Sequence, residues 1–503
     1  MSLTLFPDEL VVQIASYIHP STNFSFALAC KQFLRCSEPY LAYHARCHRL
    51  LRGGIQSTEQ VHKDHYLRAT LRNPIVAWHI REATLDALLD DERDDDYKGY
   101  VVGMDQEPTA PAAQSELLEL LKPGLTDHED ITVQTRAFAR KHFYMADADI
   151  KVWLAGWEDD DQTQGYYRPA TQPEINKAVL LACCPRLSDV TCTMYQDELD
   201  WPLNFVSQAV KTIYETPDHV WPEGFRALRS IRIGVRIEGR HNQDSYEYEA
   251  RDIAPLFVLP HIDSIWFNGL ESLIGIPEGA FIPPPGSSPL KSLYLQWACI
   301  EADELKPLLR SAASLRSMTF DACGMGEIQE IVEFMGEVHG DSLEELDIGD
   351  SRYRGNEMGT GLLRKFKNLR RVNLDLADFL PPGDVTVADG VYRRLRAALP
   401  SSLESIIWST SYCAKDEEEP LIDEALARLV ESDYMPALKH MSLASLQTRI
   451  RANALMGGRP VSDDILGFPK TLGAGIRHGV DVEVTSQQQQ KASRSFHLGG
   501  TFH

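Results

Sequence analysis

Leu290-Lys291-Ser292-Leu293-Tyr294-Leu295 is the hexapeptide that decides the fold. Its apolar residues stand three and then two positions apart. The final two-residue step puts Leu293 and Leu295 on the same face of a strand. The same spacing recurs at Leu187/Val190/Cys192, Leu228/Ile231/Ile233, Ile262/Ile265/Phe267, Leu315/Met318/Phe320 and Leu343/Leu346/Ile348. Leu369/Val372/Leu374, Leu403/Ile406/Trp408 and Leu438/Met441/Leu443 complete nine copies, at steps of 25 to 41 residues. Between them lie helical apolar periodicities, among them Leu305-Leu308-Leu309, Ile328-Ile331-Val332-Met335, Val391-Leu395-Leu399 and Ile422-Leu426-Leu429-Val430. One strand and one helix cannot enclose a core alone, but stacked units bury both faces together. The expected class is α/β, with a parallel sheet along one side of the stack and helices along the other.

Working outward, Ile476 and Val480-Asp481-Val482-Glu483-Val484 read as a last strand capping the stack, and the Gln-rich residues 486–503 as a disordered tail. Pro283-Pro284-Pro285-Gly286-Ser287-Ser288-Pro289 is a rigid loop before one strand. Upstream, residues 42–86 read as helical, with a first strand near Ile80–Leu85. Asp90–Asp96 and Trp157–Asp161 are acidic loops, residues 103–115 a Pro/Ala-rich loop, and Leu117–Leu121 and Ile131–Met145 two further helices.

At 503 residues the chain is long enough for one large core or several modest ones. Its net charge of −23 argues against nucleic acid or an anionic membrane as the main partner, since both require a basic footprint. Nine unpatterned cysteines suggest a reducing compartment, cytoplasm or nucleus. No uninterrupted apolar run reaches membrane-spanning length, and no secretory signal precedes the first helix. The sequon Asn23-Phe24-Ser25 carries no meaning in such a compartment.

The N-terminal stretch Leu5–Leu41 has its own pattern. Pro7 fits a first helical turn, with Asp8 and Glu9 at the positive end of the helix dipole. Leu10, Ile14 and Ile18 recur every four residues, and His19-Pro20-Ser21-Thr22 stops that helix. Phe24, Ala27, Leu28 and Cys30-Lys31-Gln32-Phe33 follow, with a break expected at Pro39. Phe6-Pro7-Asp8-Glu9-Leu10, Ile14, Ile18, Leu28 and Cys30-Lys31-Gln32-Phe33 together resemble the F-box, with Phe6 where a Leu is usual.

An F-box followed by L-x-x-L-x-L repeats resembles the F-box proteins with C-terminal leucine-rich repeats, in a fungal-type layout with degenerate copies. The resemblance implies an F-box over 1–45, a helical linker region with acidic loops and a first repeat over 46–173, and an irregular horseshoe over 174–485 with a concave parallel sheet and outer helices. It implies a substrate receptor of a Skp/cullin/F-box E3 ubiquitin ligase, acting in ubiquitin-dependent protein catabolism through protein–protein interaction. Phe6, Pro7, Leu10, Ile14, Ile18, Phe24 and Leu28 would bind the Skp-family adaptor, and through it the cullin core. The alternative is an adaptor-bound scaffold that does not promote ubiquitylation.

The target would lie on the strands. The residue between the two strand apolar positions faces the concavity, which selects Trp266, Tyr294 and Asp347; the position after the second apolar residue adds Asp321 and Asp375. Exposed aromatics are strong anchors, and the carboxylates would favour a basic segment in the partner.

No catalytic constellation accompanies these features, so a non-catalytic subunit without cofactor or metal is expected. Gly473-Ala474-Gly475 precedes a strand, whereas a dinucleotide loop must follow one. His44-x-x-Cys47-His48 offers ligands on one helical face but lacks a second pair. Cys183-Cys184-Pro185 reads as packing before a turn.

Overall fold

The computed structural model describes residues 6–52, 54–57, 60–86, 116–117, 119–121, 131–150, 174–195, 203–236, 253–268, 280–296, 298, 300–321, 328–348, 361–380, 387–409, 418–445 and 468–486. The chain divides into two compact units, one formed by Met1–Tyr100, Met104–Ser245 and Val258–Ile262, the other mainly by Asp263–His503. Both are α/β with parallel strands.

The first unit opens with α1 (Asp8–Tyr17), α2 (Asn23–Leu28) and α3 (Lys31–Leu51). Then come β1 (Ile55–Ser57), α4 (Gln60–Arg72), α5 (Pro74–His79), β2 (Glu82–Asp86), α6 (Ile131–His142), α7 (Glu174–Cys183) and β3 (Asp189–Tyr195). It ends with α8 (Asn204–Glu215), α9 (Glu223–Ala227) and β4 (Ser230–Arg236). Its four strands pair in chain order, all parallel.

The second unit carries β5 (Ser264–Asn268), β6 (Ser292–Gln296), α10 (Ala302–Ser311), β7 (Ser317–Asp321), α11 (Ile328–Val338), β8 (Glu345–Ile348) and β9 (Arg371–Asp375). It continues through α12 (Ala388–Ala398), β10 (Ser405–Ser409), α13 (Glu419–Glu431), β11 (His440–Ser445), α14 (Pro469–His478) and β12 (Asp481–Ser486). These strands also pair in parallel and in chain order.

The repeat spacing has a physical counterpart at every copy. All three apolar positions of all nine copies are buried, and the most exposed, Leu438, is only 8 % accessible. Eight strands, β3, β4 and β6 to β11, start the same way: one backbone carbonyl of the preceding strand's entry accepts two N–H groups from the next. Lys291 O takes Arg316 N and Ser317 N, Arg316 O takes Glu344 N and Glu345 N, and Arg370 O takes Glu404 N and Ser405 N, at 2.7–3.0 Å. Ion pairs decorate these entries, including Lys291–Asp263 at 2.6 Å, Arg371–Glu345 at 2.7 Å and Lys439–Glu404 at 2.7 Å. Their side chains are largely solvent-accessible, so they contribute little to stability. The stack therefore rests on its apolar rows, where each buried Leu-sized side chain contributes about 1.5–3 kcal/mol.

Several expectations need correcting. Pro39 does not break the chain; α3 runs through it, because Pro39 faces solvent while Phe33, Cys36, His44, Cys47 and Leu51 anchor both halves of the helix. The boundary placed at residue 45 thus lies inside α3. Parallel strands begin with β1, which is not expected from the sequence; the strand expected near Ile80–Leu85, in the region read as holding a first repeat, is β2. Ile476 belongs to α14, fully turned to solvent, and not to the last strand, which is β12. Asp90–Asp96, residues 103–115, Trp157–Asp161 and 487–503 lie outside the described residues, as does Leu118 in the Leu117–Leu121 helix.

Candidate protein-interaction surfaces

α1 is amphipathic on two sides. Val11 and Ala15 are buried, and Val11 forms a small core with Phe33 and Cys36, with Phe26 and Cys30 packed against it. Phe26 stacks on Phe33 with ring centroids 4.5 Å apart. The start of α1 is tied to α3 by polar contacts, because Gln32 Nε2 donates to Phe6 O and to Asp8 Oδ1, both at 2.8 Å. Gln32 and then Arg35 hold the Asp8 carboxyl below its usual range, against the opposing pull of desolvation.

The other side of α1 is open. Leu10 is 44 % and Ile14 41 % exposed. Phe6, Leu10, Gln13, Ile14, Tyr17 and Ile18 line a shallow, largely apolar trough. Pro7 and Phe6 are exposed and Ile18 is half-buried. On α2, Phe24 and Leu28 are exposed, at 57 % and 77 %. Six of the seven residues assigned to adaptor binding therefore face solvent. Sequence reasoning missed Tyr17, Val12 and Leu34, which are also exposed. Tyr17 was legible, standing three residues after Ile14 on the same helical face.

The strand surface is less uniform. Trp266 and Tyr294 are in-register neighbours on β5 and β6, both half-buried, with ring centroids 5.6 Å apart. Asp347 is half-buried on β8. The side chain of Asp321, whose backbone pairs in register with Gln296, lies outside the described residues.

Asp375 leaves the candidate patch. It is 1 % exposed, on a strand where Val372, Asn373, Leu374 and Asp375 are all buried. The chain turns immediately after it through the 3-10 segment Leu376–Asp378, bringing a second carboxyl close by. Burial, reinforced by the Asp375 charge, pushes Asp378 up to about 7. The acidic row expected over Asp321, Asp347 and Asp375 is thus not an open stripe.

Among the described residues no group of three or more His, Cys, Asp or Glu side chains could hold a metal ion. His44 is buried between Asn23 and His79, and Cys47 is a buried thiol pushed up to about 11 by desolvation. Burial likewise pushes Cys183 up to about 12 and Cys184 well above the ordinary thiol range, so both sit as protonated packing residues. Gly473 and Gly475 lie in α14; a Cβ on Gly475 would come within 2.5 Å of Val482 Cγ2 and 2.7 Å of Val480 O. That glycine serves helix–strand contact rather than phosphate binding. Among the described residues no helix is long and apolar enough to cross a membrane. No protein-family model and no curated protein sequence matches the chain.

Proposed function

We propose that the chain is a non-catalytic substrate receptor of a Skp/cullin/F-box ubiquitin ligase. The helices from Asp8 to Leu51 bind the Skp-family adaptor, and the stacked strands bind a target protein. The observation that carries this reading is the open side of α1: Leu10 and Ile14 stay exposed although the same helix already packs Val11 and Ala15 inward. Covering the exposed part of either side chain returns about 1 kcal/mol at roughly 25 cal/mol per Å², so several such residues together can offset the cost of association. The receptor makes no covalent intermediate. It raises the local concentration of the target beside the transferring subunit. All the described cysteines are free thiols, which suits the cytoplasm or nucleus, where such ligases act.

The test is co-purification of the tagged full chain with the Skp-family adaptor, cullin and RING subunits, compared with Ile14→Asp. A carboxylate in a buried apolar contact should reduce adaptor recovery by about a hundredfold. Undiminished recovery with the variant overturns the docking surface. Recovery of the adaptor without cullin and RING would replace the receptor by an adaptor-bound scaffold.

A further inference from the structure

The three N-terminal helices meet the rest of the first unit at α5, which leads directly into β2, and at Glu116, which pairs with Arg46 and Arg49 of α3. Two polar contacts and three ring contacts link them to α5. Asn73 Nδ2 donates to Tyr43 Oη at 3.0 Å, while its Oδ1 caps α5 by accepting from Ile75 N at 3.0 Å. His19 meets Trp78 edge-on at 5.2 Å. His44, 1 % exposed, bridges Asn23 on α2 and His79 at the end of α5: Asn23 Nδ2 lies 3.0 Å from His44 Nε2, and His44 Nδ1 lies 2.9 Å from His79 Nε2. Phe24, on the open side of α2, leans on the same His44 ring at 6.0 Å.

These contacts fix the protons. An amide N–H at Asn23 requires a lone pair on His44 Nε2, which leaves the His44 proton on Nδ1. That proton then requires a lone pair on His79 Nε2. The chain of donors runs one way, from Asn23 through His44 to His79, and both rings must be neutral. We propose that Asn23, His44 and His79 form a proton-sensitive latch that docks the N-terminal helices onto α5 and lets go on acidification. A proton added to His79 Nε2 sets two donors face to face. Relief would require His44 to change tautomer and Asn23 to turn its amide.

The surroundings offer an added charge no compensation. From α3, His48 stands 5.8 Å from the His79 ring, and Arg186 lies over Trp78 at 4.9 Å. Burial first, then His44, His48, Arg186 and Arg81, hold His79 down at about 4, and burial lowers His44. Tyr43 and Cys47, the other titratable groups on α3 at this junction, are pushed up and stay neutral. Because the docked state lowers the histidine values, the latch is fully effective above the free-imidazole range. It is lost as pH falls from there toward about 4.

The latch is independent of what the open face of α1 binds. Its test is hydrogen exchange of the full chain at about pH 7.5 and about pH 5, corrected for intrinsic rates, with the β3–β4 amides of the same unit as internal reference. Protection over 8–51 should fall about tenfold or more relative to those strands, as a shifted imidazole of this kind implies. His79→Gln keeps an acceptor for His44 and cannot take a proton, so it should remove most of the acid-specific loss. A parallel response of helices and strands, or an undiminished loss in His79→Gln, overturns the proposal. Should the variant fail to fold, histidine nitrogen NMR of the wild-type chain decides. Both rings should carry the proton on Nδ1 at neutral pH and resist protonation relative to free imidazole. Either ring with its proton on Nε2, or titrating like free imidazole, overturns the latch.

Discussion

Replacing Asp378 by Asn should stabilise the second unit, and more so at alkaline than at acid pH. Asp378 is half-buried near Asp375, and its buried Oδ2 has no hydrogen-bond partner among the described residues. Burial and the neighbouring carboxylate raise its pKa from 3.8 to about 7. The sign follows from proton counting. Between those two values the folded chain binds a proton that the unfolded chain has released, so stability is full below the lower value and declines as pH rises through the upper one. At 1.36 kcal/mol per unit, the interval corresponds to a ceiling of about 4 kcal/mol at pH 8, of which about 1.5 kcal/mol is already lost at pH 5. Allowing for relaxation of a partly accessible site, a gain of about 1–3 kcal/mol at pH 8 is expected. The readout is the opening free energy of the β8–β10 amides by hydrogen exchange, in the wild type and Asp378→Asn, at about pH 5 and about pH 8. Equal pH dependence in both chains would show that Asp378 is ionised throughout, which would refute the reasoning.

The two sides of α1 should respond oppositely to truncation. Val11→Ala, at a fully buried position, should destabilise the N-terminal helices by about 1–2 kcal/mol, while Ile14→Ser should change their stability by less than about 0.5 kcal/mol. Exchange protection over 8–51 separates the two, and an equal loss in both would place Ile14 in the core. Gly475→Ala should loosen the contact of α14 with β12, since its Cβ has no room against Val480 O and Val482 Cγ2. A cost of about 1–3 kcal/mol, typical of overpacking, should appear as faster exchange of the β12 amides. Unchanged exchange would mean the helix shifts at no cost.

The repeat was legible because burial on both strand and helix faces constrains residue type at fixed spacing. A strand is expected near Ile80–Leu85, but its full repeat pattern is masked because one position is filled by a small side chain. Ile80, Ala83 and Leu85 have the same spacing and are all buried, yet Ala83 carries too little apolar volume to mark the middle position. The three-residue strand β1 offers only Ile55 as a buried apolar signal. Pro39 misled for a different reason. Proline costs a helix its hydrogen bond and a steric contact, about 3 kcal/mol, but buried anchors on both sides of the site outweigh that cost. Local propensity gives way to tertiary packing there, and packing is not visible in a window of ten residues.

Surface positions obey a weaker rule, and this explains the unequal fate of the candidate residues. On α1 a second apolar stripe beside the buried one is itself anomalous, because solvation alone would favour polar residues there; exposure of Leu10 and Ile14 could therefore be read from their chemistry. On the strands the argument used only alternation, which says which face a side chain takes and nothing about what covers that face. Thr319, Asn373 and Ser442 occupy the same register position as Trp266 and Tyr294 and are buried, whereas Asp347, between Thr319 and Asn373, is half-buried. Asp375 adds a turn that folds back at the strand end. Alternation thus fixes the face a side chain takes on a parallel stack but not its accessibility. Trp266 and Tyr294, large residues side by side, stay partly accessible, as does the smaller Asp347.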